Sequence, residues 1–167
     1  MLSKKIEKAL NAQINAEFWS GYMYLSMSAH FAKEGKSGFS NWFKVQYLEE
    51  LDHAMKMFNY INSRSGEVKL VAIKDVPLAW DSPLSAFEAA LAHEKKVTAM
   101  IDNLVTLTHE EKDYATASFL QWFVDEQVEE EETAQEYVDS LKLIKDNGFG
   151  IFTLDKELKS RVYTPAK

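Results

Sequence analysis

Residues 39–65 read FSNWFKVQYLEELDHAMKMFNYINSRS and contain neither glycine nor proline. Apolar side chains recur in this stretch at intervals of three and four residues, which is the spacing of one face of an α-helix. Residues 84–147 form a second long stretch without glycine or proline. Sandwiches and barrels need turn residues about every 8–12 positions. These two stretches therefore exclude many-stranded folds and predict an all-α protein.

The composition narrows the class of protein further. The chain has 167 residues, and we expect one domain over residues 1–167. It contains no cysteine, which excludes disulfides, thiolate metal sites and cysteine nucleophiles. The longest run without a charged residue, 18–32, is too short to cross a membrane, and no signal peptide is recognisable. The net charge is -7 without a basic cluster, so we expect a soluble, cytoplasmic protein that binds cations, with no nucleic-acid or membrane partner.

Capping residues, glycines and prolines divide the chain into five predicted helices. The expected bounds are Ser3 to about Lys33, Gly38 to about Ser65, Ser82 to about Thr108, Asp113 to about Lys145, and Leu154 to about Arg161 after the cap Thr153. The run Asn147-Gly148-Phe149-Gly150 is interpreted as the end of the fourth helix.

The lengths of the connections predict how the helices are arranged. Short connections make helices one and two antiparallel, and likewise helices three and four. The segment Glu67–Asp81 is predicted to be extended, and at that length it can reach about 50 Å, enough to return along the whole bundle. We therefore expect a four-helix bundle over residues 3–146 with one long crossover between helices two and three. A short fifth C-terminal helix, at about 154–161, completes the predicted fold.

Each predicted apolar stripe is interrupted by an acidic residue near the middle of its helix. The four residues are Glu17, Glu50, Glu94 and Glu130. Helix midpoints meet at one depth of a bundle whichever way the helices run, so the four carboxylates should share one layer. An unpartnered buried carboxylate costs several kcal/mol, and one polar residue is enough to set helix register. The layer therefore predicts a dinuclear metal site, because two divalent cations balance four carboxylates.

The spacing within the helices indicates which metal is bound. Glu50-Leu51-Asp52-His53 places a carboxylate and an imidazole three residues apart on one helix face. Di-iron bundles use a Glu from each of two helices and Glu-x-x-His from each of the other two. The fourth helix departs from this pattern with Gln127-Val128-Glu129-Glu130. Oxygen ligands with a single imidazole favour Fe or Mn over structural Zn.

With these residues in this order, the sequence resembles the bacterial non-haem ferritins along nearly its whole length. The resemblance implies a two-iron ferroxidase centre with the first iron on Glu17, Glu50 and His53. It assigns the second iron to Glu50, Glu94 and Glu130, with Gln127 beside it. It also implies a third iron site on Glu49, Glu126 and Glu129, with Glu130 shared. Glu131 and Glu132 are expected on a solvated face instead.

The same resemblance implies a function. The protein would oxidise Fe(II) to Fe(III) with O2 or H2O2 and deposit ferric mineral in the cavity of a homo-oligomeric shell of 24 subunits. The fifth helix would line one set of symmetry axes. Tyr24 and Trp122 are candidates to supply electrons or quench radicals, with core packing as the alternative for both. Bacterioferritins carry a haem-ligating Met where this chain has Leu51, so no haem is expected.

Two other classes of protein remain open from the residues alone. A di-iron or di-manganese oxidase or catalase would turn over without storing iron, and would more naturally keep a second histidine in the fourth helix. A metal-free helical interaction module would have no use for the acidic layer. The other histidines, His30, His93 and His109, are expected to be surface or packing residues.

Overall fold

The computed structural model describes residues 2–166 and contains five α-helices in this part of the chain, with no β-strand. The helices are α1 (Lys4–Lys33), α2 (Ser37–Ser63), α3 (Pro83–Glu110), α4 (Tyr114–Ile144) and α5 (Gly148–Leu158). The predicted all-α bundle with one long crossover and a short fifth helix is confirmed. Within residues 2–166, none of the helices has an apolar stretch long enough to span a lipid bilayer.

Three helices begin at the capping residues that the sequence indicates. The Ser3 side chain accepts a hydrogen bond from the backbone N–H of Ile6 at the start of α1. Ser82 and Ser85 form a reciprocal capping box at the start of α3, with proline as the first helical residue. The Asp113 side chain accepts from the N–H of Thr116 at the start of α4. Each bond satisfies a backbone donor that has no partner inside its own helix.

The crossover from 67 to 82 is extended and runs along α1, with which α2 also packs. Polar side chains spaced along α1 donate hydrogen bonds to its backbone carbonyls. They are Asn15 to Val71 (3.3 Å), Trp19 to Asp75 (3.2 Å) and Ser26 to Pro77 (2.6 Å). The crossover therefore returns along the bundle, as its length predicts.

The apolar core is divided into two clusters along the bundle axis. One cluster is rich in aromatic rings, including Phe31, Trp42, Phe43 and Phe87. The other is mainly aliphatic and includes Leu10, Met57, Ile61 and Ile101. The segments that join the two clusters on α1 to α4 carry the four predicted acidic residues. The acidic layer thus lies between two close-packed regions that hold the helices in place.

The bounds of the fifth helix differ from the prediction. The helix begins at Gly148 and ends at Leu158, whereas the sequence indicated about 154–161 with Thr153 as the cap. The chain already turns at Lys145, which has a φ of 54°, and Asn147 then caps α5 by accepting from the N–H of Gly150. Thr153 lies inside the helix and donates to the carbonyl of Phe149. The prediction was wrong because Asn147 was interpreted as a helix end rather than as a helix start.

Helix α5 and helix α2 cap each other. The Asp155 carboxylate accepts from the N–H groups of Gly38 (2.8 Å) and Phe39 (3.1 Å), at the start of a helix that has no capping side chain of its own. In return, the Asn41 amide donates to the carbonyls of Leu158 (3.2 Å) and Arg161 (2.9 Å). The apolar face of α5 is buried against the bundle of the same chain. The neighbour that this short helix needs is therefore its own bundle.

Candidate metal centre

Six of the predicted site residues are buried in the layer between the two apolar clusters. Their exposed fractions are Glu17 1%, Glu50 2%, His53 3%, Glu94 1%, Gln127 5% and Glu130 8%. They come from all four helices of the bundle. Carboxylates are almost never buried this deeply unless they are paired, protonated or bound to a metal.

One half of the layer is formed by Glu17, Glu50 and His53. Ligand atoms of these three residues lie within 4.8 Å of one another, and His53 Nδ1 is 3.3 Å from Glu50 Oε2. Gln13 Nε2 donates to Glu17 Oε1 at 2.9 Å and fixes the orientation of that carboxylate. The other oxygen, Glu17 Oε2, is buried without a hydrogen-bond partner. A buried acceptor without a partner is costly, and it fits a cation ligand.

The other half of the layer is formed by Glu94 and Glu130 and is organised by neutral donors. The Tyr24 hydroxyl donates to Glu94 Oε1, and Gln127 Nε2 lies 3.3 Å from Glu94 Oε2. Gln46 Nε2 donates to Glu130 Oε2 at 2.8 Å. These donors orient both groups and carry no positive charge of their own, so they do not compete with a cation for the layer.

The acidic groups have strongly shifted pKa values. Burial, reinforced by the charge of Glu130, raises the pKa of Glu94 to about 8, and burial raises the pKa of Glu130 to about 7. Burial also raises the pKa of Glu50 well above its ordinary value. For His53, burial lowers the pKa, but hydrogen bonds to Glu126 and Glu50 outweigh it and raise the pKa overall. The metal-free layer therefore retains protons near neutral pH, and cations must displace them on binding.

The residues expected at a third iron site are only partly brought together. Glu126 Oε1 lies 3.8 Å from His53 Nε2, and ligand atoms of His53, Glu126 and Glu130 lie within 4.8 Å of one another. Glu49 is held in an ion pair with Arg161, at 2.6 Å. Glu129 is exposed and belongs to neither group of ligand atoms.

The expectation that Glu131 lies on a solvated face is wrong. Glu131 is half-buried and accepts a hydrogen bond from Thr98 Oγ1 at 2.5 Å. Thr98 in turn accepts from Gln127 Nε2 at 3.2 Å, which links Glu131 to the layer. Glu132 is exposed, as expected. One helical turn separates Glu131 from Gln127, and this is why the two can share a contact on α3.

Sequence reasoning gave no role to several residues that support the layer. Gln13 and Gln46 each lie four residues before a buried Glu, and Thr98 lies four residues after one. This spacing places each of them on the same helix face as an acidic residue. A polar residue one helical turn from a buried Glu is therefore the sequence pattern that could have indicated them. For Arg161 no such signal exists, because its contacts on α2 lie more than one hundred positions away in the sequence.

Aromatic side chains line the layer. Tyr24 is 1% exposed, and burial, followed by the charge of Glu94, raises its pKa well above the ordinary value. The ring of Trp122 lies 5.4 Å from that of His53, and Lys56 Nζ is 4.1 Å from the Trp122 ring centroid. Both aromatic residues are therefore adjacent to candidate ligands.

The remaining histidines have packing or surface positions, as predicted. His93 Nε2 is 2.7 Å from the Ser20 hydroxyl, and the His93 ring packs on Trp19 with centroids 5.1 Å apart. Burial lowers the pKa of His93 to about 4, so the ring is neutral at pH 7. His30 packs against Trp80, and His109 is exposed.

Known proteins are similar to this chain in sequence and fold. Residues 7–144 match the family model of the Ferritin-like domain. The chain is 48% identical over 161 residues to the bacterial non-heme ferritin of Bacteroides fragilis strain 638R, covering 96% of this chain and 100% of that protein. It is 39% identical over 163 residues to the bacterial non-heme ferritin of Staphylococcus aureus strain USA300, covering 98% of each. An engineered closed form of the Archaeoglobus fulgidus ferritin superposes with a TM-score of 0.97 at 51% identity, over 98% of this chain and 100% of that one.

A four-helix bundle with one long crossover defines the class of ferritin-like folds. Within that class, this chain belongs to the ferritin family. Its function is iron storage.

Proposed function

We propose that this ferritin takes up iron by a ferroxidase reaction at the buried acidic layer. Fe(II) is the substrate, and O2 or H2O2 is the oxidant. The observation that carries the proposal is the unpartnered oxygen Glu17 Oε2, which points to a ligand that the folded chain does not itself supply. Two Fe(II) ions release two electrons, which reduce one O2 to H2O2 with the uptake of two protons. The Fe(III) produced is the material of the ferric store.

The proposed first iron is held by Glu17, Glu50 and His53, whose ligand atoms lie within 4.8 Å of one another. The proposed second iron is held by Glu94 and Glu130, with Glu50 shared between both ions and Gln127 beside the second. Hard carboxylate ligands with a single imidazole suit iron. The Gln127 amide is a weaker ligand than the histidine of other di-iron bundles, so oxidised iron should leave for the store rather than remain bound.

Neutral donors and buried protons prepare the layer for these cations. Gln13, Gln46 and the Tyr24 hydroxyl hold the carboxylates in place before iron arrives. The raised pKa values of Glu94 and Glu130 keep protons on the empty layer, which limits the repulsion among buried carboxylates. Binding of Fe(II) releases these protons. Tyr24 and Trp122 lie close enough to the ligands to supply electrons in the proposed reaction, and either is also accounted for by packing.

The proposed store is a homo-oligomeric shell, which we take to contain 24 subunits. Apolar side chains exposed on the crossover support an assembly, namely Leu70 (68%), Val71 (65%) and Leu78 (80%). Leu143 and Phe149, near the start of α5, are also largely exposed, at 85% and 78%. Apolar surfaces of this kind are typical of protein interfaces. A cytoplasmic location belongs to the same proposal, because a chain without cysteine has no disulfides to form in an oxidising compartment.

Aerobic loading with Fe(II) followed by size exclusion tests this function. We expect ferric iron to elute with the assembled protein in large excess over two ions per chain. Glu94→Gln should slow the initial oxidation at least about tenfold, because it removes a charged ligand, whereas the exposed control Glu132→Gln should match the wild type. Fast oxidation without retained iron would instead identify a di-iron or di-manganese oxidase. Wild-type oxidation by Glu94→Gln would refute the site.

A further inference from the structure

After α5 ends, the C-terminal segment crosses α2 at the level of the acidic layer. Arg161 Nη2 donates to Gln46 Oε1 at 2.5 Å and to Glu49 Oε2 at 2.6 Å. Its Nη1 donates to the carbonyl of Trp42 at 3.3 Å, and the guanidinium lies 4.6 Å from the Trp42 ring centroid. The Arg161 side chain is thus held by four contacts to one helix.

The rest of the segment is fastened to the same helix. The Tyr163 hydroxyl and the backbone N–H of Ala166 both donate to Asp52 Oδ2, at 2.6 and 2.9 Å. Asp52 lies between Glu50 and His53 in the sequence. Hydrogen bonds therefore hold the C-terminal segment to α2 from Trp42 to Asp52, along the part of the helix that carries the metal ligands.

Gln46 connects Arg161 to the buried layer. Its Oε1 accepts from Arg161, and its Nε2 donates to Glu130 Oε2 at 2.8 Å. A guanidinium only donates hydrogen bonds, so it selects the amide orientation in which the oxygen faces Arg161 and the NH2 faces Glu130. The opposite orientation would direct the amide oxygen at the carboxylate. Arg161 therefore reinforces the orientation in which Gln46 presents a donor to Glu130.

The second contact of Arg161 involves Glu49, which lies one helical turn before His53 on the same face of α2. While Glu49 is paired with Arg161, its negative charge is balanced and one oxygen is occupied. A cation at the His53, Glu126 and Glu130 group then receives little attraction from Glu49. Release of the ion pair would make this carboxylate available.

We propose that Arg161 is a positioning residue of the iron site, orienting Gln46 toward Glu130 and withholding Glu49 from an additional cation beside Glu126 and Glu130. This proposal rests on the proposed ferroxidase function. It assigns two separable effects to one side chain. Loss of the guanidinium should slow iron oxidation through Gln46, and should tighten the additional cation site through Glu49.

Titration calorimetry of the assembled, iron-free protein with Zn(II), which is redox-inert, measures the second effect without any oxidation. We expect wild type to bind two cations tightly and a third weakly. Arg161→Ala should tighten the third binding event by about two- to fivefold, the range expected when a partly exposed ion pair is removed. Arg161→Lys should leave the third binding event weak, because lysine keeps a positive charge beside the Glu49 carboxylate. Lysine lacks the planar fork that bonds two acceptors at once, so this variant should still slow oxidation.

Two controls isolate Glu49 and the charge of the segment. In the Glu49→Gln background, Arg161→Ala should no longer tighten the third event. Lys159→Ala removes the same charge from an exposed side chain two residues away and should behave as wild type. A similar tightening in either control would overturn the role of Glu49, and unchanged oxidation in Arg161→Lys would overturn the role of Gln46.

Failure of the inference can be distinguished from failure of the proposed function. If wild type does not bind two cations tightly, or if Glu94→Gln binds them equally well, the ferroxidase site itself is refuted. If those results hold and Arg161→Ala binds Zn(II) as wild type does, only the role of Arg161 is refuted. Should Arg161→Ala fail to assemble, Arg161→Gln provides the same loss of charge with a side chain that still packs on Trp42.

Discussion

At the scale of single residues, the site contains a buried carboxylate that lacks a hydrogen-bond partner for one of its oxygens. Glu17 is 1% exposed, with one oxygen bonded to Gln13 and the other unpartnered. Burial of a carboxylate in this way costs stability in the empty protein and gains binding energy only when a cation arrives. Function and stability therefore oppose each other at this position.

Replacing this carboxylate should reveal that opposition. We expect Glu17→Gln to raise the melting temperature of the chelator-treated protein, by an amount corresponding to about 1–2 kcal/mol, because the carboxylate with an unpartnered oxygen is removed. The same change should weaken Zn(II) binding by about tenfold or more, since the amide is a poor ligand. Thermal denaturation in chelator and calorimetry check the two effects, with Glu132→Gln as the exposed control. A lower melting temperature in chelator would contradict this account of Glu17.

At the scale of helices, the fifth helix is held by close contact between backbones. A Cβ built on Gly38 would lie 1.6 Å from the carbonyl oxygen of Asp155, whereas a Cβ on Gly148 would meet nothing within 4 Å. Glycine at position 38 therefore allows α5 to reach α2 and to cap it. The same contact places the C-terminal segment, with Arg161, over the candidate metal ligands of α2.

These two glycines form a matched pair for a test of α5 docking. Gly38→Ala should destabilise the protein by about 1–3 kcal/mol, the usual cost of forcing extra volume into a packed contact. It should also expose residues 145–148 to protease, because α5 must move. Gly148→Ala should be neutral or slightly stabilising. Thermal denaturation and limited proteolysis measure both, and equal behaviour of the two variants would refute the docking contact.

Helix interiors and most helix starts could be predicted from sequence, whereas the bounds of the fifth helix could not. Ser3, Ser82 and Asp113 cap their helices through residues three positions away, so the signal is local. The start of α2 is capped by Asp155, which is more than one hundred residues away in the sequence, so the residues around the start of α2 do not indicate this cap. Asn147 is compatible with either a helix end or a helix start, and only the turn at Lys145 decides between them.

At the scale of the whole molecule, protons and cations compete for the same buried layer. The pKa values of Glu94 and Glu130, about 8 and about 7, lie well above the ordinary value of 4.5. The folded state therefore binds more protons than the unfolded state between these limits, and its stability falls as the pH rises through them. The raised pKa of His53 acts in the same direction, because stabilisation of the imidazolium is lost as the pH rises.

The chelator-treated protein should accordingly lose stability as the pH is raised from about 5 to about 8. Zn(II) binding should become tighter over the same range, because fewer protons must be displaced. Thermal denaturation at several pH values, with chelator and with Zn(II), measures the two trends. The double variant Glu94→Gln and Glu130→Gln should flatten the chelator curve. A metal-free melting temperature that rises with pH over this range would contradict the protonated state of the layer.

The sequence by itself determined the four bundle helices, the crossover and the meeting of Glu17, Glu50, Glu94 and Glu130 in one layer. Helical periodicity and capping act over a few residues, and bundle geometry brings helix midpoints together. It also indicated Gln127 and His53 as members of that layer. Only the tertiary structure decided that Glu49 pairs with Arg161, that Glu129 remains exposed and that Asp155 caps α2. The physical reason is that the Arg161 and Asp155 contacts join residues more than one hundred positions apart in the sequence. Whether an acidic side chain faces the site or the solvent depends on the rotation of its helix, and tertiary packing sets that rotation.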